Sequence, residues 1–254
     1  MTYTTVKFER KKGFGLITLN RPSVGNAIDL QMALELKELC CQLNQYDDLS
    51  AVVIEGGGCF CSGEDPKEYQ GDAVEYFLSN CDVAQALVGV DIPVIAAIDG
   101  DAMGIGLALV LACDIRIASQ AARFSVATPS HDQLLPTGIT QLLPRVVGRG
   151  RALEMLLLAH TVDAEEALRI GLVHRLVPSG DVLNQAVELA EKMASKSTIS
   201  LKYAKETVCK GLDLTLDQGM RLECDMYMII HTTHDRTEGI RAFLEKRPPN
   251  FSGA

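Results

Sequence analysis

The sequence has no cysteine arrangement typical of a metal site and no excess of positive charge. Its eight cysteines include no CxxC pair, and the HxxH run at His231 and His234 has no thiols close in sequence. Cys59 and Cys61 form a CxC, which is only a weak metal-site pattern, so we expect small buried thiols in a reducing compartment. The formal net charge of -9 argues against general nucleic-acid binding.

An apolar leader and long apolar segments are also missing. Met1 is followed by TYTTVKFERKK, which has no apolar signal core. The longest apolar stretch, Ala102–Cys113, falls short of the about 20 residues that span a bilayer. We therefore expect a cytoplasmic protein without a membrane segment. The 254 residues, of which 47% are hydrophobic, are enough for one large domain with a full core.

Strand and helix patterns alternate in the first half of the chain. A β-hairpin is predicted for VKFER and GLITLN, and Asp29 is placed to cap the helix that follows them. AVVIEG and PVIAAIDG are typical of buried strands that end in glycine turns, and IRIAS and ARFSV of further strands. The strand pattern fades after about residue 138. Helices are predicted for segments 150–159, 163–171, 181–196, 198–210, 213–230 and 235–245.

Two strand–glycine–helix units, at 51–78 and 94–112, resemble each other. The helix of the second unit is chemically silent, because Ala102–Ala112 contains no acid or base. The first turn of a helix has unpaired N–H groups with partial positive charge, and glycine allows a ligand to approach them closely. Two such turns side by side would aim two N–H donors at one oxygen and stabilise an enolate or a tetrahedral oxyanion. Taken singly, each turn also fits plain architecture.

Four segments carry a resemblance to the enoyl-CoA hydratase/isomerase (crotonase) superfamily. They are FERKKGFGLITLNRPSVGNAID, AVVIEGGGCFCSGEDPKEY, IPVIAAIDGDAMGIGLALVLACDIRIAS and GIRAFLEKRPPNFSG, in the same order and nearly end to end. The resemblance implies an α/β fold, with a spiral of ββα units over 1–195 and a helical oligomerisation region over 196–254. It also implies a homotrimer or dimer of trimers that acts on an acyl-CoA or acyl-carrier-protein thioester without a further cofactor.

The resemblance assigns an oxyanion hole to two backbone N–H groups, those of Glu64 and of Ile105, which follows Gly104. Many relatives have glycine where Ile105 stands, and this departure keeps the N–H but would crowd the acyl pocket. The remaining matched positions would contact coenzyme A through adenine, pantetheine or phosphate. They are Ser23, Gly25, Ala27, Ser62, Asp65, Pro66, Lys67, Lys246 and Arg247, although the basic ones also fit a solvated surface.

Both glutamates of the superfamily's hydratases are replaced in this chain. The resemblance aligns them with Ala108 and Thr128, and neither residue is a carboxylic acid–base, although Thr128 could position a water or the substrate. Adding water to an enoyl thioester requires a base for the water and an acid for the α-carbon. The standard hydratase mechanism is therefore not expected in its usual form.

Other side chains are candidates for proton transfer. His131 and Asp132 follow Thr128 in a loop that lines the acyl end of the pocket in relatives, and histidine titrates near neutrality. Glu64 is the second candidate and Asp101 a weaker third. The alternatives are a surface polar pair for His131 and Asp132 and a solvent-facing carboxylate for Glu64. The two histidines of the HxxH run are expected to be structural or exposed.

Three functions remain open at this point. The first is a hydratase or isomerase with relocated catalysts. The second is a decarboxylase of malonyl- or glutaconyl-type thioesters, because loss of CO₂ generates the enolate without a base. The third is a non-catalytic subunit that binds coenzyme A thioesters.

Overall fold

The structure is a computed structural model that describes residues 3–67, 83–126 and 137–253. Its first part alternates strands with helices around a short 3₁₀ turn at Pro22–Val24. The elements in chain order are β1 Val6–Arg10, β2 Phe14–Leu19, α1 Leu30–Leu43, β3 Ala51–Glu55, α2 Val83–Val88, β4 Val94–Ile98, β5 Ala102–Met103, α3 Ile105–Ala112, β6 Ile115–Ser119 and β7 Arg123–Ser125.

The second part is mostly helical. The elements are α4 Ile139–Val147, α5 Arg149–Leu158, β8 Val162–Asp163, α6 Ala164–Arg169, β9 Arg175–Val177, α7 Val182–Ala194, α8 Thr198–Gly211, α9 Leu216–His231 and α10 His234–Glu245. None of the helices within the three described ranges is long and apolar enough to cross a membrane.

The main sheet has six strands in the order β1-β2-β3-β4-β6-β9. The β1–β2 pair is the predicted hairpin, and the other neighbours in this sheet are parallel. The strand pattern fades after about residue 138, and the structure adds two short strands there that were not predicted, β8 and β9. Strand β9 has only three residues, and its strand conformation depends on pairing with β6, in which Ser119 lies opposite Val177. Such long-range pairing leaves little local pattern.

Helix starts follow the local signals, with two omissions. The Asp29 carboxylate accepts a hydrogen bond from Met32 N at 2.8 Å, as a helix cap does. Asp163 caps α6 in the same way by accepting from Glu166 N at 2.9 Å. Helices α2 and α4 were not predicted, and α4 contains Pro144, a residue that normally interrupts helices.

The core lies on both faces of the sheet, as the continuous apolar strands predicted. One face packs on α1, α2 and α3, and the other on α7. All eight residues of α3 are buried. This helix is held from all sides, so its first turn is a fixed platform for whatever binds there.

The C-terminal helices carry apolar side chains that the single chain leaves exposed. We call this set the C-terminal apolar face, and exposed fractions of its members reach 83%. Its residues are Val208, Leu212, Leu216, Met220, Tyr227, Met228, Phe243 and Leu244. His231 and His234 are also exposed, as expected.

Candidate active site

Three loops meet at the carboxyl ends of β2, β3 and β4. Isolated parallel bridges pair Ile28 with Glu64 and Cys61 with Ala102. Cys61 N donates to the carbonyl of Asp101 at 3.0 Å, and Met103 N donates to the carbonyl of Cys61 at 2.9 Å. The two strand–glycine–helix turns, which the sequence could not bring together, therefore lie side by side.

Glycines make this close approach possible. A Cβ atom on Gly106 would lie 2.6 Å from Cys61 Cβ and 2.7 Å from its carbonyl oxygen, so a side chain does not fit there. Gly104 has φ +50° and ψ -124°, a backbone conformation that is strained for other residues. The glycine turn thus brings the first N–H of α3 against the loop that contains Glu64.

The carboxyl group of Glu64 occupies the space between these turns. Ile105 N donates to Glu64 Oε1 at 3.1 Å. The backbone N–H of Glu64 lies close enough to this carboxyl group to lower its pKa. Glu64 is only 2% exposed, and its Oε2 has no hydrogen-bond partner in the described part of the chain. The alternative of a solvent-facing carboxylate is wrong, because the parallel bridges turn the side chain inward.

Burial changes the proton affinity of this carboxyl group. Desolvation raises the pKa of Glu64 to about 7, against the opposing effect of the N–H groups of Glu64 and Ile105. The neighbouring thiol of Cys61 is buried too, and its pKa is raised to about 12. A carboxyl group that exchanges a proton near neutrality is suited to general acid–base chemistry.

Two polar residues that the sequence patterns did not single out fasten the loops together. Arg21 pairs with Asp65 at 2.9 Å and with Asp29 at 3.1 Å. Asn26 Nδ2 donates to the carbonyls of Gly56 at 2.7 Å, Cys59 at 2.8 Å and Phe60 at 3.3 Å. The sequence offered one signal for Asn26, an asparagine within a predicted loop. Asparagine tolerates positive φ, and Asn26 has φ +55° in the structure.

Some of the residues predicted to contact coenzyme A form hydrogen bonds within the protein, and others are exposed. Asp65 is 4% exposed; burial raises its pKa, but hydrogen bonds from Lys67 N and the Arg21 guanidinium outweigh this effect and lower it. Ser62 N donates to the carbonyl of Gly25 at 2.9 Å, which joins the two predicted adenine-side segments. The exposed members are Ser23, Ser62, Pro66, Lys67 and Lys246, while Gly25 is half-buried and Ala27 buried.

Other predicted residues stand apart from this site or outside the described ranges. The Asp101 carboxylate is paired with the Arg123 guanidinium at 2.9 and 2.7 Å. Ala108 is fully buried in α3, one turn beyond Ile105. Arg247 is paired with Glu238 at 2.6 Å. Thr128, His131 and Asp132 lie outside the described residues.

The expectation of small buried thiols is correct only in part. Within the described ranges Cys40, Cys61 and Cys113 are buried and Cys59 is half-buried, whereas Cys41, Cys209 and Cys224 are exposed. Cys59 Sγ lies 3.5 Å from the carbonyl of Gly25, and Cys61 Sγ 3.7 Å from that of Gly63. Burial raises the pKa of both thiols, so they are poor metal ligands and nucleophiles. Over 3–67, 83–126 and 137–253, no group of three or more histidine, cysteine, aspartate or glutamate side chains could hold a metal ion.

Comparisons with known proteins agree with this architecture. A family model described as enoyl-CoA hydratase/isomerase matches residues 9–254. The chain is 32% identical over 257 residues to a crotonyl-CoA hydratase of Syntrophomonas wolfei, with 99% of each chain covered. It is 34% identical over 255 residues to an (E)-benzylidenesuccinyl-CoA hydratase of Thauera aromatica, covering 98% of this chain and 99% of the relative.

A solved structure supports the fold directly. The crystal structure of an enoyl-CoA hydratase from Bacillus anthracis superposes with a TM-score of 0.95 at 33% identity. The match covers 99% of this chain and 100% of that structure. The predicted crotonase-type α/β fold with a helical C-terminal region is thereby confirmed.

Proposed function

Because the chain belongs to the enoyl-CoA hydratase/isomerase family, we propose that it polarises an acyl-CoA thioester between the N–H groups of Glu64 and Ile105. One observation carries the proposal: the N–H of Ile105 already donates to the buried carboxyl group of Glu64 at 3.1 Å, and the N–H of Glu64 lies close enough to that carboxyl group to lower its pKa. A thioester oxygen that gains negative charge would make the same contacts. Two such donors in a buried site stabilise an enolate far better than water does.

The reaction we propose is hydratase- or isomerase-like, with proton transfer by side chains other than the usual glutamates. Position 108 is a fully buried alanine in α3 and offers no proton. Among the described residues, Glu64 is the carboxyl group at the hole, which makes it the proposed donor or acceptor of one proton. His131 and Asp132 remain proposed partners for the second proton transfer.

The same observation also supports a decarboxylase as a second candidate. In a malonyl-type thioester, the bond between the α-carbon and the carboxylate breaks and its electron pair enters the enolate. CO₂ leaves, and a single proton restores the α-carbon. One acid at the hole therefore suffices, whereas hydration needs both an acid and a base. A non-catalytic thioester-binding subunit is the remaining alternative.

Substrate assays separate these candidates. Crotonyl-CoA followed at the enoyl absorbance tests hydration, and methylmalonyl-CoA followed by mass for the loss of CO₂ tests decarboxylation. Turnover of the first supports the hydratase, and turnover of the second alone supports the decarboxylase. Binding of both esters without turnover supports the non-catalytic subunit, and absence of binding contradicts the proposed function.

One substitution tests the hole itself. Ile105 is the first residue of α3, a position where proline is tolerated, so Ile105→Pro removes the N–H and keeps the helix. We expect kcat/KM to fall by about 100-fold, the typical effect of removing one oxyanion donor. Ile105→Val keeps the N–H and is expected to stay within about threefold of the wild type. Equal losses in both variants would contradict a role for this amide.

We further propose that the C-terminal apolar face is covered by copies of the same chain in a trimer or dimer of trimers. Large exposed apolar patches usually mark surfaces that bind another protein. Sedimentation or light scattering gives the assembly mass directly. A monomer at micromolar concentration would contradict this assembly without touching the proposed chemistry.

A further inference from the structure

The space in front of the Ile105 amide already has an occupant, the carboxyl group of Glu64. Ile105 N donates to Glu64 Oε1 at 3.1 Å, and the backbone N–H of Glu64 lies close enough to the same carboxyl group to lower its pKa. A thioester oxygen needs these same two hydrogens, and each is directed at one acceptor at a time in a tight site. The side chain and the substrate therefore compete for one place.

We propose that the Glu64 carboxyl is a resident ligand of the oxyanion hole, which a thioester oxygen displaces when it binds. This inference rests on the proposed function, in which the hole receives a thioester. It makes Glu64 a residue that sets affinity and selects for ligands with a carbonyl oxygen. The backbone N–H of Glu64 then favours binding of the thioester, whereas its side chain opposes that binding.

The fit of the carboxyl group against Gly104 supports this role. A Cβ atom on Gly104 would lie 2.6 Å from Glu64 Oε2, so the carboxyl group fills the space that glycine leaves open. The φ of +50° at Gly104 turns its backbone so that Ile105 N meets Oε1 at 3.1 Å. The place is shaped for an oxygen acceptor rather than for an apolar side chain.

The carboxyl group is also held incompletely. Oε2 is buried and has no hydrogen-bond partner in the described ranges. A buried polar atom without a partner is costly, so the occupied state carries a penalty that rotation into solvent would relieve. Arg21, a half-buried cation in this region, is already paired with Asp65 at 2.9 Å and with Asp29 at 3.1 Å.

Displacement has a measurable consequence for binding. When only a fraction of molecules has an empty hole, the apparent affinity falls in proportion to that fraction. Removing the carboxyl group should restore the full affinity. The gain should appear only for ligands that place an oxygen in the hole.

The test compares butyryl-CoA, a saturated thioester, with its thioether S-butyl-CoA, which lacks only the carbonyl oxygen. In Glu64→Ala we expect the Kd for butyryl-CoA to fall at least about tenfold, with the Kd for S-butyl-CoA unchanged. The matched control is Glu55→Ala, because Glu55 also accepts a loop N–H, that of Gly57 at 2.7 Å, but on the exposed side. That variant should bind both ligands as the wild type does.

An unliganded measurement tests the occupancy separately. Hydrogen exchange of the Ile105 amide should be at least about tenfold faster in Glu64→Ala, because its acceptor is gone, and butyryl-CoA should slow it again. Glu64→Gln keeps an oxygen acceptor and should retain part of the protection. Unchanged exchange in Glu64→Ala overturns the proposal.

The outcomes also separate this inference from the proposed function. If butyryl-CoA binds the wild type and binds Glu64→Ala no more tightly, displacement is wrong while the thioester site stands. If butyryl-CoA binds neither protein, the thioester site and the displacement both fail. Equal gains for butyryl-CoA and S-butyl-CoA would also overturn the inference, because a general widening of the pocket would explain them.

Discussion

Two buried glutamates in this chain have opposite environments. Glu35 in α1 is 5% exposed and Glu64 is 2% exposed. Glu35 accepts hydrogen bonds from the backbone of Thr4, Thr5 and Val6 at 2.8 to 3.1 Å. Burial raises the pKa of Glu35, but hydrogen bonds from Thr5, Thr4 and Gln31 outweigh it and bring the pKa to about 2.

The contrast shows that the number of donors, rather than depth, decides what a buried carboxylate does. Both oxygens of Glu35 are satisfied, so it stays charged and fastens the start of β1 to α1. Glu64 has one orphaned oxygen and a pKa of about 7, so it is poised to move or to exchange a proton. Satisfied groups stabilise the fold, and partly satisfied groups are available for function.

The largest expected effect is the loss of the satisfied carboxylate. Glu35→Ala leaves the N–H groups of Thr4, Thr5 and Val6 without their acceptor in a partly buried place. We expect the free energy of unfolding at pH 7 to fall by about 3 kcal/mol. Urea denaturation measures it, and Glu38→Ala on the same helix is the control. If Glu35→Ala lowers the free energy of unfolding no more than Glu38→Ala does, Glu35 is not a stabilising group and does not differ from Glu64 in this way.

A smaller effect is expected from the proton on Glu64. Its pKa is about 7 in the hole against an ordinary 4.5, so protonation favours the occupied state. Occupancy is therefore strongest below pH 4.5 and weakens as the pH rises through 7. We expect butyryl-CoA affinity to rise at least about tenfold from pH 5 to 8.

Glu64→Gln isolates this ionisation from that of the ligand and of other groups. It should show only the pH dependence of coenzyme A itself. Two titratable neighbours are silent in this window: the thiol of Cys61 has a pKa of about 12, and the pKa of Asp65 is lowered. Identical pH profiles in the wild type and in Glu64→Gln would show that another group controls binding.

The smallest effect is expected for stability at the hole. Glu64→Ala removes a buried carboxyl group of which only one oxygen has a hydrogen-bond partner. The lost hydrogen bond destabilises the fold, the relieved burial of the other oxygen stabilises it, and the two effects nearly cancel. We expect the free energy of unfolding to change by less than about 1 kcal/mol. Urea denaturation beside Glu35→Ala gives the comparison under one set of conditions. A loss of similar size in both variants would mean that Glu64 is structural after all.

Local patterns predicted much of the fold because they act within a few residues. The hairpin of β1 and β2, the cap at Asp29 and the buried strands β3 and β4 follow from turn chemistry, capping and hydrophobic runs. Strand β9 was missed because its pairing with β6 joins residues far apart in sequence. Distance along the chain limits what such patterns can reveal.

The candidate site could be predicted from the sequence only in part, for the same reason. The resemblance pointed to the amides of Glu64 and Ile105, but not to the direction of the Glu64 side chain. That direction depends on the bridges of Ile28 with Glu64 and of Cys61 with Ala102, which are tertiary contacts. Arg21 and Asn26 were overlooked because their partners are brought near only by folding.

The side-chain amide of Asn26 has a consequence for the chemical ageing of this protein. The amide is 1% exposed and donates to three carbonyls, so water reaches it only when the loop opens. Deamidation there would replace the donor with a carboxylate that repels those carbonyls, and the loop would not close again in the same way. Deamidation increases the mass of a peptide that contains Asn26. The rate of this increase during storage would therefore report how often the loop opens.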